Sequence, residues 1–313
     1  MKELFMKILV TGATGFLGLF LCAQLRKLGH DIYEANSKNC DLTKEGSLEQ
    51  FNAVRFDQIY HLATWMQAGD FCLHHGGELW IINQKIHTNM LSWWQEKQPR
   101  AKMITIGTSC AYDPNLPLEE KYYLEGQPIE SLHAYGMSKK MLLAGLMALN
   151  KQYGLDYLYL IPSTLFGAGY HLDGKQLHFI FDLVRKILQG HMHGDPVVLW
   201  GDGNQKRELV HIGDFVKTML DLVATQKNTT FNIGAGEEHT IASFAQKICT
   251  IVGFPYEKIQ YDTSRYVGAK SKVLLIKKLL AVYPQYKLRS LDEGLSEIVA
   301  WFYSYLQQTA AMR

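Results

Sequence analysis

Apolar and polar positions along the first half of the chain follow one rhythm. Short all-apolar runs alternate with longer stretches whose apolar residues fall three and four apart. The runs at 7–11, 31–35, 58–62, 102–106 and 157–161 are rich in aliphatic and β-branched side chains, which predicts buried strands. Stretches 15–28, 77–95 and 138–153 have helical spacing, and Gly29 stands where the first of them should stop. Strands apolar on both faces and separated by helices predict an α/β fold. Its core should be a doubly wound parallel sheet with right-handed crossovers.

Beyond Pro162 the texture changes. Glycine, histidine and aromatic residues crowd 166–178. Strand-like runs at 197–200 and 230–233 then alternate with helical patterns at 177–189, 213–224 and 240–252. The expectation is a larger domain over 1–162 and a smaller C-terminal lobe over 163–313, interleaved with the last elements of the first. No segment rich in Pro, Gly or Ser separates them, so the two should pack closely.

Composition narrows the class. At 313 residues, with 47% hydrophobic and 20% charged, the chain can bury a large core and is not disordered. A net charge of +2 with interspersed signs offers no dedicated nucleic-acid surface, but leaves room for a local basic site that takes a diphosphate. The five cysteines, at 22, 40, 72, 110 and 249, form neither a CxxC pair nor a His/Cys ligand array. They read as reduced thiols of a cytoplasmic protein without a metal centre. The first residues lack the features of a signal peptide, and no apolar run is long enough to span a bilayer.

Three motifs carry chemistry. Gly12-x-x-Gly15-x-x-Gly18 follows the first strand and opens a helix. Small residues there let the backbone turn tightly and approach a pyrophosphate at the helix N-terminus. That makes 1–162 a dinucleotide-binding, Rossmann domain. An acid at the end of the second strand would select NAD, whereas basic or hydroxyl groups accept a 2′-phosphate. Asn36, Ser37 and Lys38 stand there, with Glu34 slightly early, so NADPH is favoured over NAD. Tyr135 and Lys139, four apart, share a helix face. The ammonium should lower the phenol from its usual value near 10. Such a tyrosine donates a proton to a ketone oxygen as a hydride reaches the carbon, and Thr108 can bond the same oxygen. Each motif alone has a bland reading: an ordinary turn, a solvated loop, a chance spacing. Their co-occurrence in this order weighs against that.

The segments Gly107-Thr108-Ser109-Cys110-Ala111-Tyr112, Tyr135-Gly136-Met137-Ser138-Lys139 and Ile161-Pro162-Ser163-Thr164-Leu165-Phe166-Gly167 carry a resemblance. So do Trp200-Gly201-Asp202-Gly203, Arg207-Glu208-Leu209-Val210-His211-Ile212-Gly213-Asp214 and Phe231-Asn232-Ile233-Gly234. Over nearly its full length the chain resembles the extended short-chain dehydrogenase/reductases. Within them it is most similar to the GDP-L-fucose synthase family of GDP-4-keto-6-deoxymannose epimerase/reductases. The resemblance implies NADPH-dependent reduction of the C4 ketone of a GDP-linked 4-keto-6-deoxy sugar, preceded by epimerisation at C3 and C5. It implies cofactor contacts at Gly12, Thr14, Gly15, Phe16, Leu17, Gly18, Asn36, Ser37, Lys38, Asp41, Leu42, Leu62, Ala63, Tyr135, Lys139, Pro162 and Leu165. Nucleotide-sugar contacts are implied at Ser109, Thr164, Lys186, Trp200, Arg207 and Arg265, and a homodimer is common in the superfamily.

The family cysteine maps onto Cys110 and its active-site histidine onto His178, with His171 as a competitor. A ketone at C4 acidifies the protons on C3 and C5, and inversion needs a base on one face and an acid on the other. A thiolate and an imidazole suit that task. The bland alternatives are a buried thiol, a packed histidine, a core Trp200, and an Arg207 paired with Glu208.

The chain departs from the family around the sugar. Residues 64–69 replace a Val-Gly-Gly-Ile type segment, Thr164 and Phe166 replace Asn and Tyr, and 264–269 replace a segment rich in Lys, Pro and Gly. Alternatives therefore stand: a C4 reductase only, on a related hexose or heptose; a 4-epimerase with tightly bound NAD; an NAD(P)-sensing binding protein. A dehydratase would carry Thr-Asp-Glu where this chain has Thr108, Cys110 and Ala111 nearby, which argues against it.

Overall fold

The computed structural model describes residues 5–67, 71–172, 176–265 and 270–311. Among them twelve strands form: β1 (Lys7–Thr11), β2 (Asp31–Ala35), β3 (Gln58–His61), β4 (Lys102–Ile106), β5 (Tyr157–Pro162), β6 (Thr164–Phe166), β7 (Val198–Trp200), β8 (Lys206–Arg207), β9 (Leu209–His211), β10 (Thr229–Ile233), β11 (His239–Thr240) and β12 (Gln260–Asp262). Six make one parallel sheet in the order β10-β5-β4-β3-β1-β2. The first strand lies between the second and third, so chain direction switches beside β1. The crevice where such sheets bind ligands opens at the C-terminal ends of β1 and β3.

Strand alternation divides the core in two. Leu9, Ile59 and Met103 face one side, where Met90, Trp94 and Leu142 cover them from helices Gly76–Lys97 and His133–Tyr153. Ile8, Val10, Tyr60 and Ile104 face the other, under Leu21, Leu25, Phe215 and Met219 of helices Phe16–Lys27 and Ile212–Thr225. Coverage on both faces explains why the strands read as unbroken apolar runs. A third core joins helices Phe179–His193, Ile241–Val252 and Leu291–Ala311 through Phe181, Ile187, Phe244, Ile248, Leu295 and Phe302. β10 shows how the chain interleaves: it comes in the midst of the C-terminal elements but pairs with β5.

β1, β2 and β4 occupy their expected residues. Two corrections concern helices. The helix expected from 138 begins at His133, which puts Tyr135 in its first turn. Gly136 disguised this start, because glycine reads as a breaker. A Cβ there would meet Pro128 Cγ at 2.7 Å, so glycine serves close packing instead. Helix Leu291–Ala311 was not anticipated. Its start is a capping box: Glu293 N donates to Ser290 Oγ at 3.3 Å and Ser290 N to Glu293 Oε2 at 2.9 Å. Among the described residues no helix is long and apolar enough to cross a membrane.

Candidate active site

The glycine turn is built for close approach. Gly12 adopts φ +69°, and a Cβ on it would lie 2.8 Å from Ala63 N. A Cβ on Gly18 would lie 2.2 Å from Gly12 O, so the helix start presses directly on the turn. Thr14 and Gly15 are exposed at the open mouth, and Gly15 N donates to Gly12 O at 3.0 Å. Leu62 and Ala63 close the far side: Leu62 N donates to Thr11 O at 3.2 Å and Ala63 N to Thr11 Oγ1 at 3.3 Å. The residues fit a dinucleotide, with a tight backbone, exposed residues at the turn and a helix N-terminus behind. Phe16 has a further role, since its ring packs edge-on against Phe20, Tyr170 and Phe181 and so ties this turn to the third core. Leu17 and Leu165 pack into the second core, and Pro162 ends β5.

After β2, Asn36 and Asn39 latch the turn. Asn36 Oδ1 accepts from Lys38 N at 2.9 Å, and Asn39 Oδ1 accepts from Asn36 N at 2.8 Å. Ser37 and Lys38 remain exposed, whereas the Glu34 carboxylate is engaged by Arg26. Asp41 closes its own turn through Thr43, whose hydroxyl bond holds the carboxyl below its usual value. Leu42 is buried, and its carbonyl accepts from Asn89 Nδ2 at 2.8 Å.

Thr108 follows β4 and caps a single turn, Ser109–Ala111, by accepting from Cys110 N at 3.2 Å. Its own N–H donates to Tyr123 Oη at 3.2 Å. The Thr108 side chain acts on the Tyr135 phenol, tending to lower it. Burial, with Cys110 nearby, pushes that phenol up, not down. This corrects the expectation that Lys139 would lower it. Lys139 is itself buried, and burial pulls its amine down to about 7, so near neutrality only part of the ammonium remains to favour a phenolate. Tyr135 is therefore held in its protonated, donating form.

Two buried histidines adjoin Lys139. Thr11 Oγ1 and His61 Nδ1 are 2.9 Å apart, and His61 Nε2 and His87 Nδ1 3.0 Å apart. Burial and the Lys139 charge pull His61 down to about 3 and His87 well below its usual value, so both are neutral.

Cys110 is half-buried and accepts from Lys272 Nζ at 3.2 Å. Burial raises this thiol, but Lys272, Thr108 and Arg207 together outweigh burial and leave it below its usual value. Burial, Arg207 and Lys272 pull the His178 imidazole down to about 4, and its Nδ1 has no partner among the described residues. The same two cations thus act on Cys110 and His178, which places both in one cluster. His171 instead stacks on Tyr170 at 4.3 Å. Lys272 and Cys72 escaped the sequence reading. Cys72 reaches Met66 Sδ at 3.3 Å and acts electrostatically on Tyr135. No local spacing announces either residue.

Trp200 is 42% exposed, not core, with Lys186 Nζ 5.8 Å and the Arg265 guanidinium 5.5 Å from its ring. Lys186 also pairs with Asp182 at 2.9 Å, and Arg265 with Asp262 at 3.3 Å. Glu208 is not an Arg207 partner: it is buried and accepts from Gly236 N at 2.7 Å and Leu274 N at 3.1 Å. Thr164 sits in β6 opposite Leu209. Ser109 lies in the turn beside Cys110. In the variant loop, Asn83 accepts from Trp65 N at 2.8 Å and Thr64 Oγ1 at 3.0 Å. Ala68 and Gly69 of that loop, and residues 266–269, lie outside the described residues.

A family model described as the NAD dependent epimerase/dehydratase family matches residues 8–234. The chain is 25% identical to GDP-L-fucose synthase of Escherichia coli (strain K12), over 95% of this chain and 96% of that protein. It is also 25% identical to dTDP-4-dehydro-6-deoxy-D-allose reductase of Streptomyces sp, over 94% and 95%. Among solved structures, GDP-L-fucose synthetase from Naegleria fowleri bound to NADP aligns with a TM-score of 0.83 at 23% identity, covering 96% of this chain and 95% of that one. The chain belongs to the NAD dependent epimerase/dehydratase family.

Proposed function

We propose that this protein reduces the C4 ketone of a nucleotide-linked 4-keto-6-deoxy sugar, with GDP as the nucleotide and NADPH as the reductant, after epimerising C3 and C5. The observation that carries the reading is that Cys110 adjoins Thr108 and Tyr135 and also Lys272 and Arg207, the same two cations that act on His178. NADPH, when bound, supplies the hydride for C4. Gly12, Gly15 and Gly18 admit its pyrophosphate, and Ser37 and Lys38 are free to take the 2′-phosphate. Thr108 orients the ketone, Tyr135 gives the alkoxide its proton, and Lys139 fixes the phenol and the nicotinamide ribose. For epimerisation, Cys110 takes the proton from the carbon beside the ketone while the electron pair moves to the carbonyl oxygen as an enolate. His178, itself neutral near pH 7, relays a proton from solvent to the opposite face, and the Cys110 thiol gives the proton it took back to solvent. Lys186, Arg207 and Arg265, with Trp200, supply charge and a flat ring for the nucleoside diphosphate.

A specific observation favours a second reading, reduction at C4 alone. His178 is neutral near pH 7, being pulled down to about 4, and a neutral imidazole donates protons poorly. One experiment decides between them: incubation with NADPH and GDP-4-keto-6-deoxymannose in D2O, with the product identified by NMR. The proposal expects NADPH oxidation and solvent deuterium at C3 and C5. Oxidation without deuterium leaves the C4 reductase, and no oxidation removes both.

A further inference from the structure

Cys110 differs from every other thiol in the chain. Cys22, Cys40, Cys72 and Cys249 are buried, and burial pushes each of them up, Cys22 to about 12 and Cys72 and Cys249 to about 11. Among the described residues Cys110 alone has an ammonium on its sulfur, Lys272 Nζ at 3.2 Å. That lysine arrives from 162 residues away, on an irregular segment. The neighbouring Leu274 N donates to the buried Glu208 carboxylate at 3.1 Å, which pins the segment against the lobe. The charged and titratable groups round the sulfur come from several elements: Lys272, Arg207 of β8, Tyr135 of helix His133–Tyr153, Cys72 of the short helix Phe71–His74, and Tyr123. Of these, Lys272 and Arg207 are the cations.

We propose that Lys272 is a positioning residue that keeps Cys110 as a thiolate in the resting site, the state in which it can take the proton that the proposed epimerisation removes. A cation at hydrogen-bond distance stabilises a thiolate directly, and the thiolate rather than the thiol accepts protons. The same cations disfavour imidazolium at His178, so the pair rests as thiolate and neutral imidazole. In turnover the carbon-bound proton passes to Sγ, its electron pair forms the enolate, and the thiol so produced sits beside an ammonium that has lost its anionic partner. The role in turnover rests on the proposed epimerisation, whereas the ion pair does not.

The test needs no substrate. Resting enzyme is labelled with iodoacetamide between about pH 5 and 10, and the Cys110 peptide is quantified by mass spectrometry, with the four buried cysteines as internal controls. Wild type should label with a midpoint below that of an ordinary thiol. Lys272→Met should move the midpoint up by about a unit or more and slow labelling at pH 7 roughly tenfold, while Lys272→Arg restores most of the rate. Lys272→Gln serves if the methionine variant loses its cooperative melt. A folded Lys272→Met or Lys272→Gln protein with the wild-type labelling profile overturns the proposal. If the profile shifts as expected but D2O turnover incorporates no deuterium, the ion pair stands and the base role is overturned.

Discussion

At the scale of single residues, burial rather than charge pairing sets the proton donors. Tyr135 and Lys139 were legible because a spacing of four puts two side chains on one helix face. Their protonation was not legible, because spacing says nothing about desolvation. Burial holds Tyr135 protonated and pulls Lys139 down to about 7. An amine is charged below its pKa, so the ammonium is present at acid pH and lost as pH rises through about 7. With NADPH saturating, kcat/KM of the proposed ketone reduction should therefore decline on the alkaline side with a midpoint near that value. Lys139→Met should remove this limb and cost about 10²-fold or more in rate. A profile flat from roughly pH 6 to 9, read with saturating NADPH, would show that the lysine charge does not matter. Lys272 was illegible for another reason. It meets Cys110 across 162 residues, and only the folded lobe brings them together.

At the scale of elements, the sheet was readable because its strands are covered on both faces, and the loops were not. The sequence marks 64–69 as a departure but does not say how the segment is held. The structure supplies the latch. Asn83, fully buried in helix Gly76–Lys97, uses its amide oxygen on Thr64 and Trp65 N and its amide nitrogen on Trp65 O and Leu79 O, both at 2.9 Å. Three of those bonds reach the loop and the fourth stays within the helix, so a helix residue fixes the wall of the crevice. Asn83→Leu should leave the Trp65 backbone groups unpaired, at a cost of about 1–3 kcal/mol in stability. It should raise KM for the nucleotide-sugar more than the Kd for NADPH, since the glycine turn is held separately by Thr11 and Ala63. Urea titration measures the stability cost, and steady-state kinetics with fluorescence binding of NADPH measure the two affinities. Equal losses of both affinities would mean that the loop and the cofactor turn fold as one unit.

At the scale of the whole molecule, the buried imidazoles make the fold sensitive to acid. His61 is pulled down to about 3, His178 to about 4 and His87 well below its usual value. In the unfolded chain each titrates near 6.5. A depressed folded pKa means stability present above 6.5 and lost as pH falls toward the folded value, because the unfolded chain binds the extra protons. Glu208 opposes this. Burial raises it to about 7, so between its ordinary value of 4.5 and about 7 the folded chain holds that proton instead. His211, also pulled down by burial, adds to the loss, and Glu120, also raised by burial, opposes it, so the imidazoles outweigh the carboxyls and stability falls by on the order of 1–3 kcal/mol per pH unit below 6.5. Lys139 does not add to the slope, since its burial cost is already complete below about 7. Denaturant unfolding at pH 6.5 and 5 should reveal that decline. His87→Leu should shallow it by about one proton, whatever it does to absolute stability, because it removes one of the titrating buried rings. Unchanged pH dependence in that variant would mean that water reaches His87 in the folded protein and lets it charge there.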